Sequence, residues 1–366
     1  MQNPFRFGPV VTGGDFADRR NELTELCREL RDGQHLFLLS PRRFGKTSLI
    51  FAALDALRRS GLLAVYVDAF RATSLLQLLE LFASAVLQAA ESKPERLFRL
   101  ATELLGRIQA QVGTDPTGAP TVAFSIGSAS RDRLALQEQV LELPERLALK
   151  RKVRVVVVFD EFQEIQRFPG GGAEKTLRSH FQAHRHVSYL FAGSKETALR
   201  DMAARERSPF YKFGRLMALG PIPPTEFAPY LAARFRGGRL KISREILEAV
   251  LAAADDVPYN VQRLCHELWA LRAGMTDRIV EQDAPHYSAL WDRLALHQRQ
   301  VLQAIAEGGG RNVFAAEYLA AHRLGSHSSV QTSLRQLMKE QVLLRTPDEY
   351  RFTDSFLREW ITTRRP

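Results

Sequence analysis

Five short apolar runs punctuate the chain: "HLFLLS" (35–40), "LLAVYVDAF" (62–70), "VRVVVVFDEF" (153–162), "VSYLFAGS" (187–194) and "RLMALGPI" (215–222). Each is dominated by leucine, β-branched or aromatic residues and bounded by turn formers, and each is too short for a buried helix. Each therefore predicts a strand covered on both faces. Between them apolar positions recur at helical spacing. Buried strands alternating with helices predict an α/β fold on a parallel five-stranded sheet, with ligands expected beyond the strands' carboxyl ends.

Two stretches depart from this alternation. Between the second and third runs, leucine spacing predicts helices over 74–91 and 95–112, followed by the turn-rich "GTDPTGAP" (113–120), read as a surface loop. After 223 the strand pattern stops. Helical spacing over 225–235, 243–254 and 258–273 predicts a small helical lid domain, and a boundary is expected near 286. Beyond it, helices near 295–306, 314–322 and 328–342 precede "VLLRTPDEYRF", two β-prone runs about a turn. That is the element order of a winged helix. The expected division is 1–223, 224–286 and 287–366, with no internal repeat.

Composition changes this picture little. With 366 residues and 45% hydrophobic content the chain can bury real cores. No apolar run is long enough for a bilayer, and the start "MQNPFRFGPV" lacks the basic and apolar regions of a signal peptide, so a cytoplasmic protein with no membrane partner is expected. Cys27 and Cys265 are widely spaced and fit neither a disulfide framework nor a zinc site. The formal net charge of +10 is compatible with a polyanionic partner, although the basic residues are spread along the chain rather than collected in one run.

Candidate chemistry gathers at the ends of the strands. After "LFLL" come Ser40, Pro41, Arg42, Arg43, Phe44, Gly45, Lys46, Thr47 and Ser48, running directly into a helical pattern. This is the strand–loop–helix setting of the G-x-x-x-x-G-K-[ST] phosphate loop, with Ser40 in place of the first glycine. In such a loop successive backbone N–H groups and the helix N-terminus cradle phosphate oxygens. Lys46 is expected to reach the β- and γ-phosphates, and Thr47 to bind Mg²⁺ through its hydroxyl. The third strand ends in Asp160 and Glu161, an acid pair suited to holding the Mg²⁺ shell and to activating water as a general base. Lys46, Glu161, Ser194 at the end of the fourth strand and Arg215 form the expected catalytic set, with Thr47 and Asp160 at the metal. Arg215 is expected to neutralise transition-state charge, within its own chain or across a subunit interface. No N-K-x-D guanine-reading motif occurs, which favours ATP over GTP.

These residues resemble one family across nearly the whole chain: the archaeal-type ATPases of the STAND branch of P-loop NTPases, related to the Orc1/Cdc6 and AAA+ proteins. The match runs through "NPFRFGPVVTGGDFADRRNEL", "LLSPRRFGKTSLI", "VYVDAF", "VVVVFDEFQEI", "FAGSKETAL", "SPFYKFGR", "VPYNVQRLCHELW" and "YRFTDSFLREWI". Ser-Pro-Arg-Arg before Gly-Lys-Thr is a familiar variant in that branch, which implies a working loop. The resemblance also implies that Phe16 and Arg19 lie close to the adenine, that Ser194 is the sensor, and that Pro258, from the lid's G-x-P motif, touches the nucleotide. Asp256 replaces the glycine of that motif.

His180, His184 and His186 include an i, i+4 pair, but no carboxylate or cysteine accompanies them at ligand spacing. In the winged helix, "SHSSVQTSLRQLMKEQ" is the expected recognition helix, with Ser329, Thr332, Ser333, Arg335 and Gln336 outward. Double-stranded DNA, a protein partner and a second copy of the chain all stay open as its target. The expectation is an ATP- and Mg²⁺-dependent P-loop ATPase acting as a conformational switch, associated with DNA through the winged helix. The alternative is a nucleotide-gated signalling or scaffold protein whose winged helix binds protein.

Overall fold

The four consecutive valines of the third apolar run, with Phe159 and Asp160, are buried at every position and form a central strand. This computed structural model describes residues 3–8, 19–91, 93–105, 110–114, 120–124, 130–237, 242–271 and 276–363. The chain divides into two compact units, Arg20–Ser40 with Lys46–Leu219, and Met1–Arg19 with Pro41–Gly45 and Gly220–Pro366.

In the first unit the order is α1 (Arg20–Arg31), β1 (Leu36–Leu39), α2 (Lys46–Arg59), β2 (Leu63–Asp68), α3 (Leu75–Ala90), α4 (Pro94–Leu105), β3 (Ala110–Thr114), β4 (Pro120–Phe124), α5 (Ser130–Leu141), α6 (Leu143–Arg151), β5 (Val155–Asp160), α7 (Ala173–Phe181), β6 (Val187–Gly193), α8 (Glu196–Ala204) and β7 (Arg215–Ala218). The main sheet has the strand order β2-β5-β6-β1-β7 and is parallel throughout. Its strands are the five apolar runs. Register sets Asp68 opposite Asp160 and Leu39 opposite Gly193, so the chain leaves β1, β2, β5 and β6 along one edge of the sheet. Below that edge Phe159 stacks on Phe181 and Phe191 at 5.7 and 6.1 Å. Truncating such a ring costs about 3–5 kcal/mol, so the strand bearing the acid pair is rigidly seated.

The connection between β2 and β5 differs from its expected form. The second helix ends at Leu105 rather than near 112, and Ala110–Thr114 pairs antiparallel with Pro120–Phe124. Helix α4 and this hairpin are separated by only a few residues. Short runs of small and apolar residues do not distinguish the last turns of a helix from a strand, because pairing, not periodicity, decides between them. Most of "GTDPTGAP" lies outside the described residues or in the hairpin.

The second unit contains α9 (Pro224–Gly237), α10 (Arg244–Ala253), α11 (Pro258–Leu271), α12 (Thr276–Arg293), α13 (Leu296–Gly308), α14 (Ala316–Ala321), α15 (His327–Lys339), β8 (Leu343–Arg345), β9 (Tyr350–Phe352) and α16 (Ser355–Thr363). Helix α12 runs unbroken through 286, and one apolar cluster joins the helices before it to those after it. Tyr287 and Trp291 of α12 meet Trp360 of α16 at 5.9 and 6.0 Å. From α13 onward the order is three helices, an antiparallel β8–β9 hairpin and a closing helix. Among the described residues no helix is long and apolar enough to cross a membrane. Both cysteines are buried, and burial pushes the Cys265 thiol up to about 12.

Candidate functional site

Lys46 is the first residue of α2 and is buried against Asp160, the last residue of β5, and Glu161, which follows it. Its Nζ is ion-paired with Asp160 Oδ1 and lies 2.8 Å from Glu161 Oε1. Asp160 Oδ2 accepts from the Thr47 hydroxyl at 3.4 Å and from the Tyr66 hydroxyl at 3.1 Å. Burial and the neighbouring Asp160 push the Tyr66 phenol up, so it remains a donor. Asp68, in register with Asp160, is pushed up by burial, against the Phe70 N–H that it accepts, and further by Asp160 and Glu161.

Glu161 takes a left-handed backbone conformation (φ 50°, ψ 39°), which costs a side-chain-bearing residue about 1 kcal/mol. Its Oε2 accepts from Gln163 Nε2 at 2.7 Å, Ser194 Oγ at 2.9 Å and the Ser194 N–H at 3.2 Å. Burial raises this carboxyl, but Lys46, Gln163 and the Ser194 N–H outweigh burial and hold it down at about 2. Asp160 and Glu161, with the Thr47 and Ser194 hydroxyls bonded to them, are a hard, oxygen-rich and anionic donor set, the kind that suits Mg²⁺. The residues therefore fit a magnesium–nucleotide ligand. The structure brings Lys46, Thr47, Asp160, Glu161 and Ser194 together in one bonded cluster.

The preceding loop is built differently. Ser40 is fully buried and its φ is not positive, so a side chain is accommodated where the motif has glycine. Arg43 and Gly45 are left-handed at φ 72° and 84°, and a Cβ at Gly45 would meet nothing within 4 Å, which leaves that backbone open to a ligand. Arg42 is exposed, whereas Phe44 is buried and its carbonyl accepts from Arg19 at 2.9 Å. Arg19 also reaches the Gly220 carbonyl at 2.7 Å. The Arg43 guanidinium lies 4.8 Å over the Tyr259 ring and 2.5 Å from Asp354 Oδ2, while its carbonyl accepts the Tyr259 N–H at 3.3 Å. Tyr259 follows Pro258, the first residue of α11, so Pro258 stands beside a residue that bonds the loop. Asp256 has φ 56°, the conformation in which the motif's glycine would be unstrained. Phe16 lies outside the described residues.

Arg215 is not brought to this cluster. It is the first residue of β7, opposite Leu36 at the start of β1, whereas Lys46, Asp160 and Ser194 gather where the strands end. Its half-exposed guanidinium pairs with Glu25 and, at 3.2 Å, with Glu29 of α1. Within its own chain the expected role in neutralising phosphate charge does not hold, because strand direction puts it at the opposite edge of the sheet. The histidine reading also changes. Glu142 bonds both His180 (3.0 Å) and His184 (3.3 Å), and Glu145 bonds His186 (2.6 Å), so carboxylates do accompany them, from the start of α6 and the residue before it. Among the described residues no group of three or more His, Cys, Asp or Glu is arranged to hold a metal ion. Ser333, expected on the outer face of α15, is buried and bonds His297 at 2.8 Å.

A family model described as an ATPase domain predominantly from Archaea matches residues 16–212, more than half of the chain. The chain belongs to that family. A second model, described as a probable winged helix domain, matches residues 285–363 of this archaeal-type ATPase. No curated protein matches the chain. Among solved structures, a Walker-type ATPase of Pyrococcus abyssi is similar with a TM-score of 0.68 and 17% identity, over 98% of this chain and 99% of that one. The ORC2 protein of Aeropyrum pernix, solved in ADPNP–ADP complexes, is similar with a TM-score of 0.53 and 16% identity, over 94% of this chain and 93% of that one. At such identities the likeness is one of fold. Tyr66, Asp68 and Gln163 of this ATPase join the cluster without belonging to the expected set. The acid within "VYVDAF", at the end of β2, is the available signal for Asp68, and nothing local marks the other two.

Proposed function

We propose that this archaeal-type ATPase binds ATP with Mg²⁺, hydrolyses it, and uses the nucleotide state to reset its lid and winged helix. The observation that carries the reading is the buried Lys46 ammonium held between Asp160 and Glu161 with the Thr47 hydroxyl beside them. A triphosphate offers Lys46 a competing anion, and the open backbone at Gly45 adds donors to it. Bound magnesium supplies charge neutralisation on the phosphate oxygens, with Thr47 and Asp160 as the residues that would hold it. Glu161 then accepts a proton from water as the water oxygen bonds the γ-phosphorus and the bridging oxygen leaves with ADP.

Phosphate release is the test. Wild type should hydrolyse ATP with Mg²⁺, Lys46→Ala should lose nucleotide binding, and Glu161→Gln should keep binding while losing about 100-fold or more in kcat. Undetectable calorimetric uptake of ATP or ADP by wild type would remove the proposal. For the winged helix we favour double-stranded DNA. The exposed face of α15 offers Ser329, Gln331, Thr332, Arg335 and Lys339, side chains that bond bases and phosphates. A protein target is the second reading, because Glu349 in the hairpin pairs with Arg351 at 2.9 Å and Arg311 at 3.4 Å and offsets charge there. Affinity for duplex DNA that falls steeply with salt supports the first, and salt-independent or absent binding supports the second.

A further inference from the structure

Gln163 is almost wholly buried in the turn that follows β5, yet it is a polar side chain that no part of the reading above requires. Its Nε2 lies 2.7 Å from Glu161 Oε2, and its Oε1 is buried without a hydrogen-bond partner. A buried amide with an unanswered carbonyl is costly, and a methionine of similar length would avoid that cost. The orientation of the amide is not ambiguous. Flipped, its oxygen would face the Glu161 carboxylate, so only the N–H side can point there. Gln163 Nε2 also lies 3.5 Å from Glu164 Oε1, but Glu164 already has Lys195 at 2.7 Å and Arg167 at 2.9 Å. Glu161 is therefore the partner that gives the buried amide a purpose. Room for it comes from Gly193 at the end of β6, where a Cβ would stand 2.0 Å from Gln163 Oε1.

We propose that Gln163 is a positioning residue that anchors one carboxylate oxygen of Glu161 while the other is handed from Lys46 to the attacking water. This rests on the reading of Glu161 as the base. Of the four groups that bond Glu161, the Lys46 ammonium and the Ser194 hydroxyl are those a terminal phosphate draws toward itself. The Ser194 N–H and the Gln163 amide remain on Oε2. Oε1, released by Lys46, is then the oxygen turned to water, and Gln163 determines that it is this one. Without the amide only the longer Ser194 N–H bond, at 3.2 Å, holds Oε2 when Lys46 leaves, so the carboxylate can swing, and misplacing a base by an ångström slows reaction about 100-fold.

The test is a double-mutant cycle on the full chain. Gln163→Met should leave the Kd for ATP and Mg²⁺ within about threefold and KM little changed, and lower kcat about 10- to 100-fold. Gly193→Ala, which pushes on the same amide, should reproduce the loss. In a Glu161→Gln background neither substitution should lower kcat further, because the partner is already gone. Independently of turnover, amide hydrogen exchange in the nucleotide-free protein should speed up about tenfold at Ser194 in Gln163→Met. Wild-type kcat in Gln163→Met, full additivity with Glu161→Gln, or parallel loss of nucleotide binding or folding would each overturn the proposal. If Glu161→Gln turns over like wild type, the base assignment fails instead, and unchanged exchange at Ser194 then rejects the anchoring role by itself.

Discussion

His35 stands at the foot of β1, with its Nδ1 accepting the Tyr189 N–H at 3.2 Å and its ring stacked 4.5 Å from Phe213. Burial, reinforced by Arg178 and then His184, pushes its pKa down to about 4 from the ordinary 6.5 of histidine. Between those values the unfolded chain takes up a proton that the folded chain refuses, so stability falls as pH drops from 6.5 toward 4 and is fully present above 6.5. The loss is on the order of 2 kcal/mol for a partly exposed ring. Urea unfolding of His35→Asn, which keeps an acceptor, should show a flatter decline from pH 7 to pH 5 than wild type, and identical slopes would count against the burial argument. At this scale what the sequence makes legible is what is local to a strand end. Lys46, Thr47, Asp160, Glu161 and Ser194 each follow an apolar run. Tyr66 and Asp68 depend on β2 lying against β5, a pairing across nearly a hundred residues, and Gln163 depends on a turn folding back. Arg215 precedes its run instead of following it, so it sits at the wrong edge.

Among the elements, the five buried strands are legible because hydrophobic runs bounded by turns have few alternatives. The β3–β4 hairpin is not, since its residues are small and its partner strand is as weakly marked as itself. The winged helix is read correctly in its order of elements, but a close approach within it leaves no trace in periodicity. Gly310, between α13 and α14, lies so near β9 that a Cβ would fall 1.7 Å from the Tyr350 carbonyl oxygen, and the Tyr350 N–H donates to the Gly310 carbonyl at 3.0 Å. Backbone cannot yield there as a flexible side chain could. Gly310→Ala should therefore destabilise the protein by roughly 2–4 kcal/mol, read as a lower urea midpoint, and a midpoint within error of wild type would contradict that crowding.

On the scale of the whole molecule, the chain enters the lid and winged-helix unit at its N-terminus, again for the five residues Pro41–Gly45, and finally from Gly220 onward. No periodicity announces that a loop flanked by β1 and α2 belongs by its bonds elsewhere. Arg43 makes that membership, through Tyr259 and Asp354. Asp354 also accepts from Tyr287 at 3.2 Å and, through Oδ1, caps α16 by accepting the Phe356 N–H at 3.0 Å. Asp354→Asn, which keeps an oxygen for the cap but drops the charge, should alter ADP affinity several-fold in calorimetry, and an unchanged affinity would mean the loop is indifferent to its tether.

That tether implies reciprocity. If occupancy of the loop alters the Arg43–Asp354 pair by some free energy, then whatever grips the carboxyl-terminal helix must alter nucleotide affinity by the same factor, whichever of the two arrives first. Under that condition the carboxylate shared between this loop and the closing helix makes each ligand a thermodynamic reporter on the other.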